Sequence, residues 1–83
     1  MAVTVHTVVD DRIAKYVNRV KAHQYATEAT VLRELVERGY DQILRHLHDR
    51  YQRGELTFRT VAEELGLSVR ELYDLLEQKG LPT

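Results

Sequence analysis

The chain has 83 residues, enough for one compact domain or a small module with an appendage, and too few for two independent cores. Its 12 basic residues against 13 acidic ones leave a formal net charge of −1, so nucleic acid meets no global attraction and any DNA binding must rest on local geometry. The absence of cysteine excludes a disulfide framework, a thiolate nucleophile and a Cys-based zinc site, which leaves oligomerisation as the obvious way to stabilise so short a chain.

No apolar run approaches the roughly 20 residues that span a bilayer. The stretch MAVTVHTVVDD lacks the basic flank and apolar core of a signal peptide. A cytoplasmic protein that does not enter membranes is expected.

The segment from Ala2 to Val9 alternates Val3, Val5 and Val9 with Thr4 and His6 and is rich in β-branched residues, which predicts one short strand. One strand cannot make a sheet, and the rest of the chain offers no second. Its backbone donors and acceptors are therefore expected to pair with another copy, as a homodimer. Asp10 and Asp11 suit a helix N-terminus, and Ile13, Val17 and Val20, with Tyr16 beside them, follow at helical spacing to about His23. After a break at residues 23–26, Thr27 can cap a second helix with Val31, Leu32, Leu35 and Val36 on one face. Gly39 is a natural end for it. Tyr40, Ile43, Leu44, Leu47 and Tyr51 nevertheless keep the phase, so one helix over about 28–52 and two shorter helices are both open.

Gly54 stops that pattern, and the final stretch predicts a short helix over 55–65, a turn at Gly66-Leu67-Ser68 and a helix over 69–78 with Leu72, Leu75 and Leu76 inward. Three segments result: 1–39, a connecting 40–53, and 54–83.

Residues 3–39 resemble the ribbon-helix-helix (Arc/MetJ-type) family in the strand, the run Val9-Asp10-Asp11-Arg12-Ile13, the first helix, and the stretch from Thr27 to Gly39. The resemblance covers a little under half the chain. It implies a mostly α fold with one N-terminal β-strand, in which two chains pair strands into an antiparallel ribbon that enters the major groove of a double-stranded operator. With Val9 as the inward residue that ends the strand, parity puts Val3, Val5 and Thr7 on the core side too, and the expected dimer core is Val3, Val5, Val9, Ile13, Leu32, Leu35 and Val36. Thr4, His6 and Val8 face outward and become the expected base contacts. The free amides of Thr27, Glu28 and Ala29 at a helix N-terminus, with Arg12 and Lys15, are the expected phosphate contacts.

Residues 49–82 look like the C-terminal part of a small prokaryotic antitoxin-like family, from Tyr51-Gln52-Arg53-Gly54 through Ala62 and Gly66-Leu67-Ser68 to Gly80-Leu81-Pro82. The spacing of Ala62, Gly66, Leu72 and Leu75 is that of a helix-turn-helix, which normally reads DNA with its second helix. Residues 41–83 hold eight acidic residues against six basic. Arg70, Glu71, Tyr73, Asp74 and Glu77 are therefore read as a surface for a protein, a cognate toxin in the antitoxin reading, in preference to DNA.

Arg45, His46, His48, Arg50 and Arg53 read as a solvated helix face. His46 and His48 stand two apart and so do not share a face that could hold a metal ion. No catalytic constellation or phosphate loop is present, and neither an enzyme nor a cofactor is expected. The sequence-level function is a dimeric, DNA-binding repressor of the antitoxin kind; the alternatives are a scaffold dimer that reads no DNA, and DNA reading by the C-terminal helix-turn-helix.

Overall fold

The structure, a computed structural model, describes residues 3–4, 6–24 and 26–83. It contains four helices among the described residues: α1 (Asp11–Gln24), α2 (Glu28–Gln52), α3 (Phe58–Glu64) and α4 (Val69–Lys79). The chain divides into two compact units, one ending at Arg38 and the other running from Gly39 to Thr83.

The expected N-terminal strand and its ribbon are not found. Among the described residues there is no strand: Val3, Thr4 and residues 6–10 have no regular secondary structure, and Val5 lies outside the described residues. Alternation of β-branched residues is a local preference, whereas a strand exists only when a neighbour about 4.8 Å away pairs its backbone. The described chain supplies no such neighbour. Val3 is accordingly 77 % exposed and Val8 98 % exposed.

In the first unit, Asp10 starts α1: its Oδ1 accepts from the Arg12 amide at 2.8 Å and its carbonyl from the Ala14 amide at 3.0 Å. Thr27 does the same for α2, its Oγ1 accepting from the Thr30 amide at 3.2 Å. Among the described residues of this unit, Val17 and Val31 are the buried hydrophobic side chains. Of the residues expected in a dimer core, Ile13 and Val36 are exposed, whereas Val9, Leu32 and Leu35 are half-buried.

Gly39 does not end α2, which is one continuous helix of 25 residues. A Cβ at Gly39 would meet nothing within 4 Å, so the only penalty there is the intrinsic one of glycine in a helix, about 1 kcal/mol.

The second unit has a true core. Leu44 from α2, Val61 and Ala62 from α3, and Leu72 and Leu76 from α4 are buried together, with Leu47, Tyr51, Phe58, Leu65 and Leu75 packed around them. Ala62 is small where α3 and α4 meet. Thr57 caps α3 through the Thr60 amide at 3.1 Å. Gly66 then takes φ 70, in the left-handed region that disfavours side chains, and lets the Leu67 amide turn back to the Ala62 carbonyl at 2.9 Å. Ser68 and Glu71 form a reciprocal capping box at the start of α4, at 3.1 and 2.9 Å. The product is a helix-turn-helix whose helix starts are both capped by its own sequence.

Candidate binding surfaces

The first surface is the outer side of α1. Arg12, Lys15 and Arg19 recur at i, i+3 and i+7 and therefore share one face, while Ile13, Val17 and Val20 share another. All three basic residues are exposed. Arg12 has an ion pair with Asp10 at 3.5 Å, but its side chain is 92 % exposed, and such a pair holds little in water. Asp11 is the one acidic residue of α1, which also carries Lys21 and His23.

The other expected DNA contacts fare differently. Thr4, His6 and Val8 are exposed but lie in the irregular segment, so no strand parity groups them on one face. At the start of α2, the Thr27 hydroxyl is engaged with both the amide and the hydroxyl of Thr30, and Glu28 and Ala29 are exposed. Between α1 and the first part of α2 there is a hollow of about 90 Å³, lined by Tyr16, Val20, Gln24, Val31, Glu34, Leu35 and Arg38. It has room for only a few waters.

The second surface lies on the helix-turn-helix. Val69 (44 % exposed) and Tyr73 (49 % exposed) stand one turn apart on α4. With Phe58 of α3 they form the apolar part of a shallow open hollow, flanked by Arg70 and Asp74. Glu71 and Glu77 are exposed on the same helix. Four of the five residues read as a protein-binding surface lie on this exposed side of α4: Arg70, Tyr73, Asp74 and Glu77. Glu71 is turned to its capping role. Phe58 and Val69 were missed by sequence reasoning; each directly follows a helix cap, Thr57 and Ser68, with Phe58 half-buried against the core and Val69 exposed.

The basic cluster of α2 is not a uniform solvated face. His48 is buried, and its Nε2 lies 2.6 Å from the Pro82 carbonyl. Arg45 pairs with Asp41 at 2.8 Å, Arg53 with Asp49 at 3.1 Å and with Glu55 at 3.2 Å, and Arg50 with Glu55 at 3.3 Å. Lys79 of α4 also reaches Asp41, at 3.2 Å. Arg45 and Arg50 of α2, and Arg53 just after it, thus each have a carboxylate partner, in pairs that are still partly exposed to solvent. His48 follows Leu44 by four residues, and this spacing was the signal that it shares the buried face.

Among the described residues no group of His, Cys, Asp or Glu is placed to hold a metal ion, and no helix is long and apolar enough to cross a membrane. Comparison with protein-family models, with curated proteins and with solved structures finds no match for the chain.

Proposed function

We propose that the chain is a dimeric, DNA-binding transcription regulator of the antitoxin kind, in which the N-terminal unit engages DNA and the C-terminal unit captures a protein. The observation that carries this reading is the division of charge. α1 presents Arg12, Lys15 and Arg19 on one exposed face, whereas α3 and α4 present Glu63, Glu64, Asp74 and Glu77. A basic helix face attracts phosphate without needing sequence, and an acidic helix surface repels it.

Dimerisation is supported by the thin core of the first unit. Among the described residues of this unit, Val17 and Val31 are the buried hydrophobic side chains, with Val20, Leu32 and Leu35 half-buried. A second copy would cover Ile13, Tyr16 and Val36, all exposed in one chain. Doubling the chain also doubles the basic face available to a duplex.

One observation favours a second reading, DNA binding by α4: the α3–turn–α4 arrangement is that of a helix-turn-helix. The two readings separate cleanly. Fluorescence anisotropy with a duplex covering the promoter of the protein's own coding sequence should show binding that Arg12→Ala, Lys15→Ala and Arg19→Ala together abolish and Arg70→Ala leaves intact. The opposite pattern transfers DNA reading to α4.

A further inference from the structure

The basic side chains of the second unit are unequally used. Arg45, Arg50, Arg53 and Lys79 are all engaged by Asp41, Asp49 and Glu55. The surface of α3 and α4 is then left with Arg59 and Arg70 against five carboxylates, those of Glu63, Glu64, Glu71, Asp74 and Glu77. The hollow at Phe58, Val69 and Tyr73 is bordered on α4 by Arg70 and by Asp74, with Glu77 one turn beyond Tyr73, so its rim carries two carboxylates against one guanidinium, and it stands on a well-packed, capped core.

We propose that this hollow docks a basic segment of a partner protein, one that inserts a bulky apolar side chain between Phe58 and Tyr73 and sets lysine or arginine side chains against Asp74 and Glu77. The inference rests on the protein-capture reading above and names the chemistry of the partner. An apolar anchor in a small pocket with a charged rim is how interfaces concentrate their energy and select their partner. Tyr73 lines the hollow and is half exposed, and an aromatic ring there can meet both an apolar anchor and a cation. A nucleic acid duplex suits this rim less well, because its phosphates would meet Asp74 and Glu77 with only Arg70 beside them.

The test is selection from a random peptide display library on the full-length chain, with counter-selection on the chain carrying Tyr73→Ser and Asp74→Lys. All these side chains are exposed, so the variants should fold; circular dichroism checks this. The expected winners combine a bulky apolar residue with flanking lysine or arginine. As synthetic peptides they should bind about tenfold or more weakly to Tyr73→Ser, as expected for loss of an aromatic anchor, and more weakly to Asp74→Lys and Glu77→Lys. Binding should also weaken with salt. Acidic winners that still need Tyr73 would overturn the proposed partner chemistry while leaving protein capture standing. Winners indifferent to all three substitutions, or none surviving counter-selection, overturn the site. A duplex that displaces the peptides from α4 overturns both the site and the protein-capture reading.

Discussion

His48 Nε2 and the Pro82 carbonyl oxygen lie 2.6 Å apart, which ties the C-terminal part of α2 to the segment after α4. A carbonyl can only accept, so Nε2 carries the hydrogen and donates. Tyr51 repeats the tie one turn later, its hydroxyl donating to the Thr83 carbonyl at 2.7 Å, and Gln52 Nε2 also reaches the Pro82 carbonyl at 3.4 Å. The chain after α4 therefore acts as a strap over the core of the second unit. His48→Ala should lower stability by about 1–2 kcal/mol, the cost of a lost hydrogen bond with a partner left poorly satisfied. Thermal denaturation followed by circular dichroism measures it; an unchanged midpoint would mean that Tyr51 and Gln52 hold the strap without His48.

Two glycines should respond to alanine in opposite senses. Gly39 is interior to α2 with open space around it, so Gly39→Ala should stabilise by about 0.5–1 kcal/mol. Gly66 has equal space but sits at φ 70, so Gly66→Ala should destabilise by about 1–2 kcal/mol through backbone strain alone. Chemical denaturation of the two variants, compared at equal slope, reads both values.

The capping box of α4 makes two linked predictions. Ser68→Ala should cost about 1 kcal/mol, the usual worth of an N-cap side chain. The carboxyl of Glu71 is held below its ordinary range by the hydrogen bond it accepts from the Ser68 amide and then by the Ser68 hydroxyl. Asp41 is likewise lowered, first by its hydrogen bond from Arg45 and then by Lys79. A carboxylate whose pKa is lower in the folded state contributes stability that is fully present above the unfolded value, about 4, and is lost as pH falls through the lowered one. The chain should therefore lose stability below about pH 4, and Glu71→Gln and Asp41→Asn should each flatten that acid limb, as read from melting midpoints across the acid range.

The helical half of the fold was legible in sequence, because helical periodicity is a property of one stretch of chain. Ile13, Val17 and Val20 mark α1; Leu72, Leu75 and Leu76 mark α4, with Gly66-Leu67-Ser68 as its turn. The strand was misread for the converse reason: the alternation of Val3 with Thr4 and His6 states a preference that only a pairing partner can realise. Whether Gly39 ends α2 depended on about 1 kcal/mol of propensity against continued packing of Leu44, a balance that spacing alone does not weigh. The candidate surface on α4 was readable in its charged residues. Its apolar floor, Phe58 and Val69, was not, since periodicity says which side chains are apolar and not which are left uncovered.

If α1 holds the phosphates, binding should depend on salt in proportion to the number of phosphates neutralised. Arg12, Lys15 and Arg19 from two copies offer up to about six cations, and with about 4–6 engaged the slope of log K against log salt should be about −4 to −5. Lys15→Ala alone should reduce the slope by about one to two units per dimer, roughly 0.9 for each phosphate no longer neutralised, and weaken all duplexes alike. An unchanged slope would remove Lys15 from the interface.

The division of labour between the units is tested most directly by titrating isotope-labelled full-length protein with its own promoter duplex and following each backbone amide by NMR. The expected result is that the amides around Arg12, Lys15 and Arg19 shift while those of Val69, Arg70 and Tyr73 stay in place. Shifts confined to α4, with α1 unmoved, would contradict it.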